Sequence, residues 1–264
     1  QAATGDIKGA IITYEQAVMM DPKAVDELKE LAELYSKQNR TKQAMETYMK
    51  YLNKKPSDQE VARKVGRYAY DKKMYGKAYK YLSLVKGSAA DDFYHLLMLA
   101  ESAFRTEKYE EVPPILEGLR KRNPKLSTLK DILLMLAKSY EKMGKNLDAA
   151  GSYAIYEGIK GVSDADAAYK SAALQEKANP GKAREIYETN VRKFPGDYRN
   201  YLKLGLMYAG EKESLAKSVE MLRKASSLAD TIPSVWLELA KVYGKLGKET
   251  EELQAYQRYA KHDP

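Results

Sequence analysis

From Val25 to Lys54 apolar side chains recur every third or fourth residue. They include Leu31 and Ala32, then, past a polar break at Asn39, Ala44, Tyr48 and Tyr51. This spacing predicts two amphipathic helices joined by a short turn. The pair returns along the chain. Ala10, Ala44, Ala78 and Val112 stand 34 residues apart, and Pro22, Pro56 and Pro124 keep the period with Ala90 in the gap. After a short slip the series resumes at Ala149, Ala183, Ser218 and Glu252. A period of this length belongs to stacked helix pairs, being too short for a domain and too long for a heptad.

Each unit obeys positional rules. A small residue recurs at Ala32, Gly66, Ala100, Ala137, Ser171, Gly205 and Ala240. A large apolar residue precedes it at Leu31, Val65, Leu99, Leu136, Leu204 and Leu239, with Lys170 the exception. About one half-unit later comes an aromatic or Leu: Tyr48, Leu82, Leu116, Tyr153, Tyr187, Leu222 and Tyr256. Breaks at Asn39, Gly144 and Gly247 mark the turns. The small residues let two helices approach while bulky neighbours fill the groove. A single pair leaves an apolar face open, so pairs must stack. In the last unit Trp236, Leu239, Tyr243, Tyr256 and Tyr259 are expected as core pegs, Ala240 as the contact point, Gly247 as the turn and Pro264 as the stop.

The W-x-x-L-A-x-x-Y of Trp236–Tyr243, Gly247, Tyr256 and the terminal Pro resemble the tetratricopeptide repeat family. The resemblance covers essentially the whole chain. It implies an all-α fold, a right-handed superhelical α-solenoid of helix-turn-helix repeats. A single array over 1–264 is expected. It has one second helix of a partial repeat at 6–22, then repeats at 25–58, 59–92, 93–126, 130–163, 164–198, 199–232 and 233–264. Departures are Glu252 at a small position, Lys170 at an apolar one, and Pro113-Pro114, which should delay or kink the second helix after Tyr109. Repeat five, rich in Ala and flanked by Gly158, Gly161 and Asn179-Pro180-Gly181, reads as soft.

The resemblance also implies a concave groove lined by first helices and used to hold peptides or partner domains. By that analogy the groove residues are Lys29, Glu33, Arg63, Arg67, Tyr70, Tyr94, Leu97, Glu101, Lys138, Arg199, Leu202, Leu206 and Lys241. The expected function is a protein–protein interaction scaffold and not an enzyme. We assign no catalytic residue, no cofactor and no metal ligand. Cysteine is absent, which excludes disulfides, thiolate nucleophiles and zinc-thiolate sites. His95 and His262 lie in different units. Paired acids such as Asp91-Asp92, Glu110-Glu111 and Glu251-Glu252 sit where helices start, as the helix dipole favours. The run Gly205–Lys212 imitates a phosphate loop but lacks Lys directly after its second Gly.

The net charge of +8 changes the picture in one place. Lys50–Lys86 holds eleven basic residues against three acidic ones, interleaved with Tyr51, Tyr68, Tyr70, Tyr75, Tyr79 and Tyr81. An acidic protein or peptide partner is therefore expected. Nucleic-acid or polyanion binding through this repeat is the alternative, disfavoured because the charge is confined to one unit. A second alternative is the regulatory portion of a larger enzyme. No apolar run is long enough for a membrane helix, and the compartment stays open between cytoplasm and bacterial periplasm or cell envelope. Because Gly5–Pro22 match only a second helix and Leu253, Tyr256 and Tyr259 lie at the other end, further repeats, another domain or end-to-end self-contact are expected.

Overall fold

In the computed structural model, residues 6–21, 24–87 and 91–262 are described; Pro22, Ala90 and Pro264 of the proline series lie outside them. The described residues form fifteen α-helices and no strand. They divide into two compact units, Gln1–Leu129 and Lys130–Pro264.

In the first unit α1 (Ile7–Met20) packs on α2 (Val25–Lys37), which pairs with α3 (Thr41–Lys54). The pairs α4 (Gln59–Asp71) with α5 (Tyr75–Leu82), and α6 (Phe93–Arg105) with α7 (Val112–Arg120), follow. The second unit holds most of α8 (Leu126–Lys142), then α9 (Asn146–Glu157), α10 (Ala165–Ala173), α11 (Pro180–Lys193), α12 (Tyr198–Ala209), α13 (Leu215–Leu228), α14 (Pro233–Lys245) and α15 (Glu249–His262).

Aspartates start the first helices: Asp58, Asp92, Asp164 and Asp197 each accept from an amide two or three residues on, which satisfies orphan donors and suits the dipole. Five hairpins close through one device. Asn39, Lys73, Glu107, Gly144 and Gly247 all have positive φ. The next residue's amide reaches back five places in each case, as Arg40 does to the Tyr35 carbonyl at 2.9 Å and Lys248 to Tyr243 at 3.0 Å. That is the Schellman closure of a helix. The hairpins of α10 and α12 lack a positive-φ residue there.

Small residues do bring the helices together. A Cβ on Gly66 would stand 2.7 Å from Leu82 Cγ, and one on Gly205 would stand 2.6 Å from Leu222 Cγ. Ala32, Ala100, Ala137 and Ala240 are fully buried. Pro113 and Pro114 are accommodated by a 3-10 turn at Tyr109–Glu111, after which α7 starts at Val112. There the missing amides would be unpaired in any case. Asn123, with φ 49°, and Pro124 end the preceding segment, so α8 begins at Leu126, earlier than the predicted 130.

The last hairpin needs a correction. Leu239 and Tyr243 are buried, but Trp236 and Tyr259 are half-buried and Tyr256 is 38% exposed. The equivalent rings of earlier hairpins are covered by the next first helix: Tyr48 packs with Val61 and Val65, Tyr153 with Ala167, and Tyr187 with Leu204. No such helix follows α15 among the described residues. Glu252, the other departure, fits because Gly244 leaves room for it; a Cβ there would meet its carboxylate at 2.9 Å.

Candidate functional site

The residues assigned to first-helix faces separate into two groups. One group ties first helices to their successors within each unit. In the first unit Lys29 of α2 donates to Asp58, the cap of α4, at 2.8 Å. Tyr51 donates to the same carboxylate oxygen at 2.8 Å. Burial opposes the charge on Asp58, yet the bonds from Lys29, the Val61 amide and Tyr51 win and hold its carboxyl at about 2. Burial and the Asp58 bond push the Tyr51 hydroxyl up to about 12. Tyr70 of α4 donates to Glu101 of α6, and burial with that bond raises its pKa.

The second unit repeats the scheme. Lys170 of α10 lies 3.5 Å from Glu141 of α8 and 3.7 Å from Asp166, above the Tyr153 ring. A lysine at an apolar place in the repeat is thereby explained: its ammonium lies over a ring and pairs between helices. Arg199 of α12 reaches Asp166 at 2.8 Å and Asp197 at 2.8 Å, stacked 4.5 Å from the Tyr169 ring centroid. The bonds to Asp197 and Asp166 raise its pKa despite burial. Lys203 pairs with Glu176 at 3.0 Å, and Lys245 of α14 donates to the Ala209 carbonyl at 2.9 Å.

The other group is less committed. Arg67 is exposed, and Tyr94 is 67% exposed with its edge against Phe93 at 5.6 Å. Leu97, Glu33 and Arg63 are half-buried; burial, aided by the Arg63 charge, lowers the pKa of the buried His95. Lys138 is exposed. Leu202 packs into the core beside Tyr201 and Val235, and Leu206 is part-exposed. Lys241 pairs with Glu238 along its own helix at 2.7 Å.

The basic repeat offers few free rings. Tyr51 and Tyr81 are buried, Tyr70 and Tyr79 donate to Glu101 and Glu111, and Tyr75 stacks edge-on against Tyr70. Stacking of bases needs open aromatic faces, so this arrangement disfavours the nucleic-acid alternative. Among the described residues no group of three or more His, Asp or Glu could hold a metal, and no helix is long and apolar enough to cross a membrane.

Sequence reasoning passed over a second kind of surface. Clefts open between second helices of the last hairpins: one of about 1020 Å³ between α13 and α15 over α14, and smaller ones of about 450 and 230 Å³ beside α13. None of the predicted groove residues lines them. The signal was present in Arg223 and Arg258, roughly one period apart, and in the single tryptophan, Trp236, all of which line the largest.

Residues 1–68 match the protein family described as tetratricopeptide repeat. No curated protein matches the chain. Among solved structures, a crystal structure of MamA protein is similar over 65% of this chain and 91% of its own, with TM-score 0.55 and 16% identity. The fragment MamA 41-end from Desulfovibrio magneticus RS-1 is similar over 65% and 94%, with TM-score 0.52 and 19% identity. A second crystal structure of MamA covers 62% and 94% at TM-score 0.53 and 17% identity. At such identities the likeness concerns the fold alone.

Proposed function

We propose that this chain, whose hairpins are tetratricopeptide repeats, is a non-catalytic scaffold that holds a peptide or partner domain against the exposed faces of its first helices. The observation that supports this reading is the division of labour on those faces. Lys29, Tyr70, Glu101 and Arg199 bond one helix to the next, while Arg67 and Tyr94 remain exposed on neighbouring helices of the first unit. Leaving a large aromatic ring in water forgoes roughly 1.5–3 kcal/mol of burial. A partner that covers Tyr94 and Leu97 and sets a carboxylate against Arg67 recovers part of it. The excess of base over acid in Lys50–Lys86 favours an acidic segment.

The test is selection from a displayed peptide library, run on the native chain and on Arg67→Glu/Tyr94→Ala. Acidic peptides with one bulky apolar residue should be enriched by the native chain and lost by the variant, with the helical circular dichroism unchanged. Equal enrichment by both would move the site off these faces.

A further inference from the structure

The cleft between α13 and α15 has three walls of different character. Its floor is Trp236, Leu239 and Tyr243 of α14, an apolar strip with a half-buried indole at one end. The Trp236 Nε1 donates to the Asp230 carbonyl at 2.6 Å, which fixes the ring in place. The rims carry Arg223 from α13, Lys248 just before α15, and Arg258 and Lys261 from α15, against the two carboxylates of Asp230 and Glu251. Lys248 lies 3.9 Å from Glu251, at the long limit of an ion pair. The Arg258 guanidinium lies 5.8 Å from the centre of the Trp236 ring. The rim is therefore cationic where the floor is aromatic. That combination is unlike Lys29 and Arg199 on the first helices, whose charges pair from one helix to the next.

We infer that this cleft is a second docking surface, for an acidic segment of a partner protein that seats one bulky apolar side chain on Trp236, Leu239 and Tyr243 and sets carboxylates against Arg223, Arg258 and Lys261. Size agrees with that occupant: about 1020 Å³ is enough for several side chains of a peptide. From Lys248, just before α15, the lining runs along the helix to Lys261. At 1.5 Å per residue this is about 20 Å, the length of a helical segment of about 13 residues. Charge complementarity selects the occupant, because an apolar segment alone leaves the cationic rim without counter-charge, and a basic one is repelled. The surface is independent of the first-helix reading, since it is built on second helices and on the opposite flank of α14 from Lys241.

Trp236 is the chain's single tryptophan, so its emission reports this cleft and nothing else. The probe is a synthetic Glu-rich peptide about 13 residues long with one central Leu, titrated into the 264-residue chain. A saturable change in Trp236 emission, weakened by salt, is expected. Arg223→Glu/Arg258→Glu should weaken it at least about tenfold, with circular dichroism unchanged, while Arg67→Glu/Tyr94→Ala should leave it as it was. The inference is overturned by any of four results: no emission change, an equal response to a Lys-rich peptide of the same length, an equal response to an all-Glu peptide without Leu, or a response that survives the charge reversal. An emission that instead shifts on simple dilution of the protein would show a second copy as the occupant and also overturn it.

Discussion

The hairpins α2/α3 and α10/α11 follow one repeat and are held together by different means. Between α2 and α3 lie Leu28, Leu31, Leu34, Met45, Tyr48 and Leu52, all buried, closed by a Schellman turn at Asn39. In α10 the buried side chains are Ala167, Ala168, Ser171 and Ala172, and the helix is nine residues long. Polar groups take over there. Ser171 Oγ donates to the Ala150 carbonyl at 3.2 Å, and buried Asn190 donates from Nδ2 to the Ala168 carbonyl at 2.9 Å and to Asn200 Oδ1 at 3.1 Å. Where side chains are too small to bury much area, the stack is fixed by hydrogen bonds that must all be kept. A solenoid tolerates such exchange because each hairpin answers only to its neighbours.

The largest expected effect lies in the aliphatic hairpin. Leu28→Ala should cost about 3 kcal/mol through lost burial and a cavity, read as a fall in the urea midpoint; a loss under about 1 kcal/mol would mean this core is loose. Next comes Asp58. Its folded pKa of about 2 lies below the 3.8 of an ordinary aspartate. It therefore adds stability above the unfolded value, roughly 2 kcal/mol at neutral pH, which is lost as pH falls through the folded one. Between about pH 4 and 2 the native chain should lose stability more steeply than Asp58→Asn. Parallel acid limbs for the two would remove this carboxylate from the account. Lys29 behaves in the opposite sense: its pKa is raised, first by the Asp58 bond, so its share persists below the unfolded value and fades as pH rises through the folded one.

In the polar hairpin Asn190→Ala should cost about 1–2 kcal/mol by removing the donor to the Asn200 Oδ1 and the side-chain donor to the Ala168 carbonyl. Local hydrogen exchange in α10 should speed up while α2 is unaffected. Uniform acceleration along the chain would show that the two hairpins are not energetically separate. The smallest effect is a gain. Lys73 sits at φ 56° where other hairpins have Gly144 or Gly247, so Lys73→Gly should raise stability by about 0.5 kcal/mol, strain relief exceeding the entropy of glycine. A loss on thermal melting would indicate that the lysine makes a compensating contact.

The same contrast shows what could be read in advance. Helix pairs, small contact residues and the turns at Asn39, Gly144 and Gly247 were legible because they depend on local conformation and on a fixed period. Lys73 and Glu107 at the equivalent turn were not, since hairpin closure imposes positive φ on residues that do not prefer it. Repeat five was legible as poor in apolar bulk, but Asn190 and Asn200 were missed, because a buried amide pair across ten residues leaves no periodic trace. The first-helix faces were legible by position only. That Lys29 meets Asp58 and Arg199 meets Asp166 depends on the offset between successive hairpins, a tertiary quantity. Trp236 was read as a peg because aromatic residues at that place usually are; a half-buried ring becomes a cleft floor only when its neighbours stand apart.

On the proposed reading, first-helix residues divide into those that hold the helices and those that hold a partner. The direct measurement is a pair of variants compared by thermal melting and by binding of the selected acidic peptide. Arg67→Glu/Tyr94→Ala should abolish binding and leave the melting temperature in place, since exposed side chains contribute little to the fold. Arg199→Ala, which unties Asp166 and Asp197, should lower the melting temperature and leave binding to the first unit unchanged. The opposite pattern, with Arg199→Ala losing the peptide and Arg67→Glu/Tyr94→Ala losing stability, would overturn that division of roles.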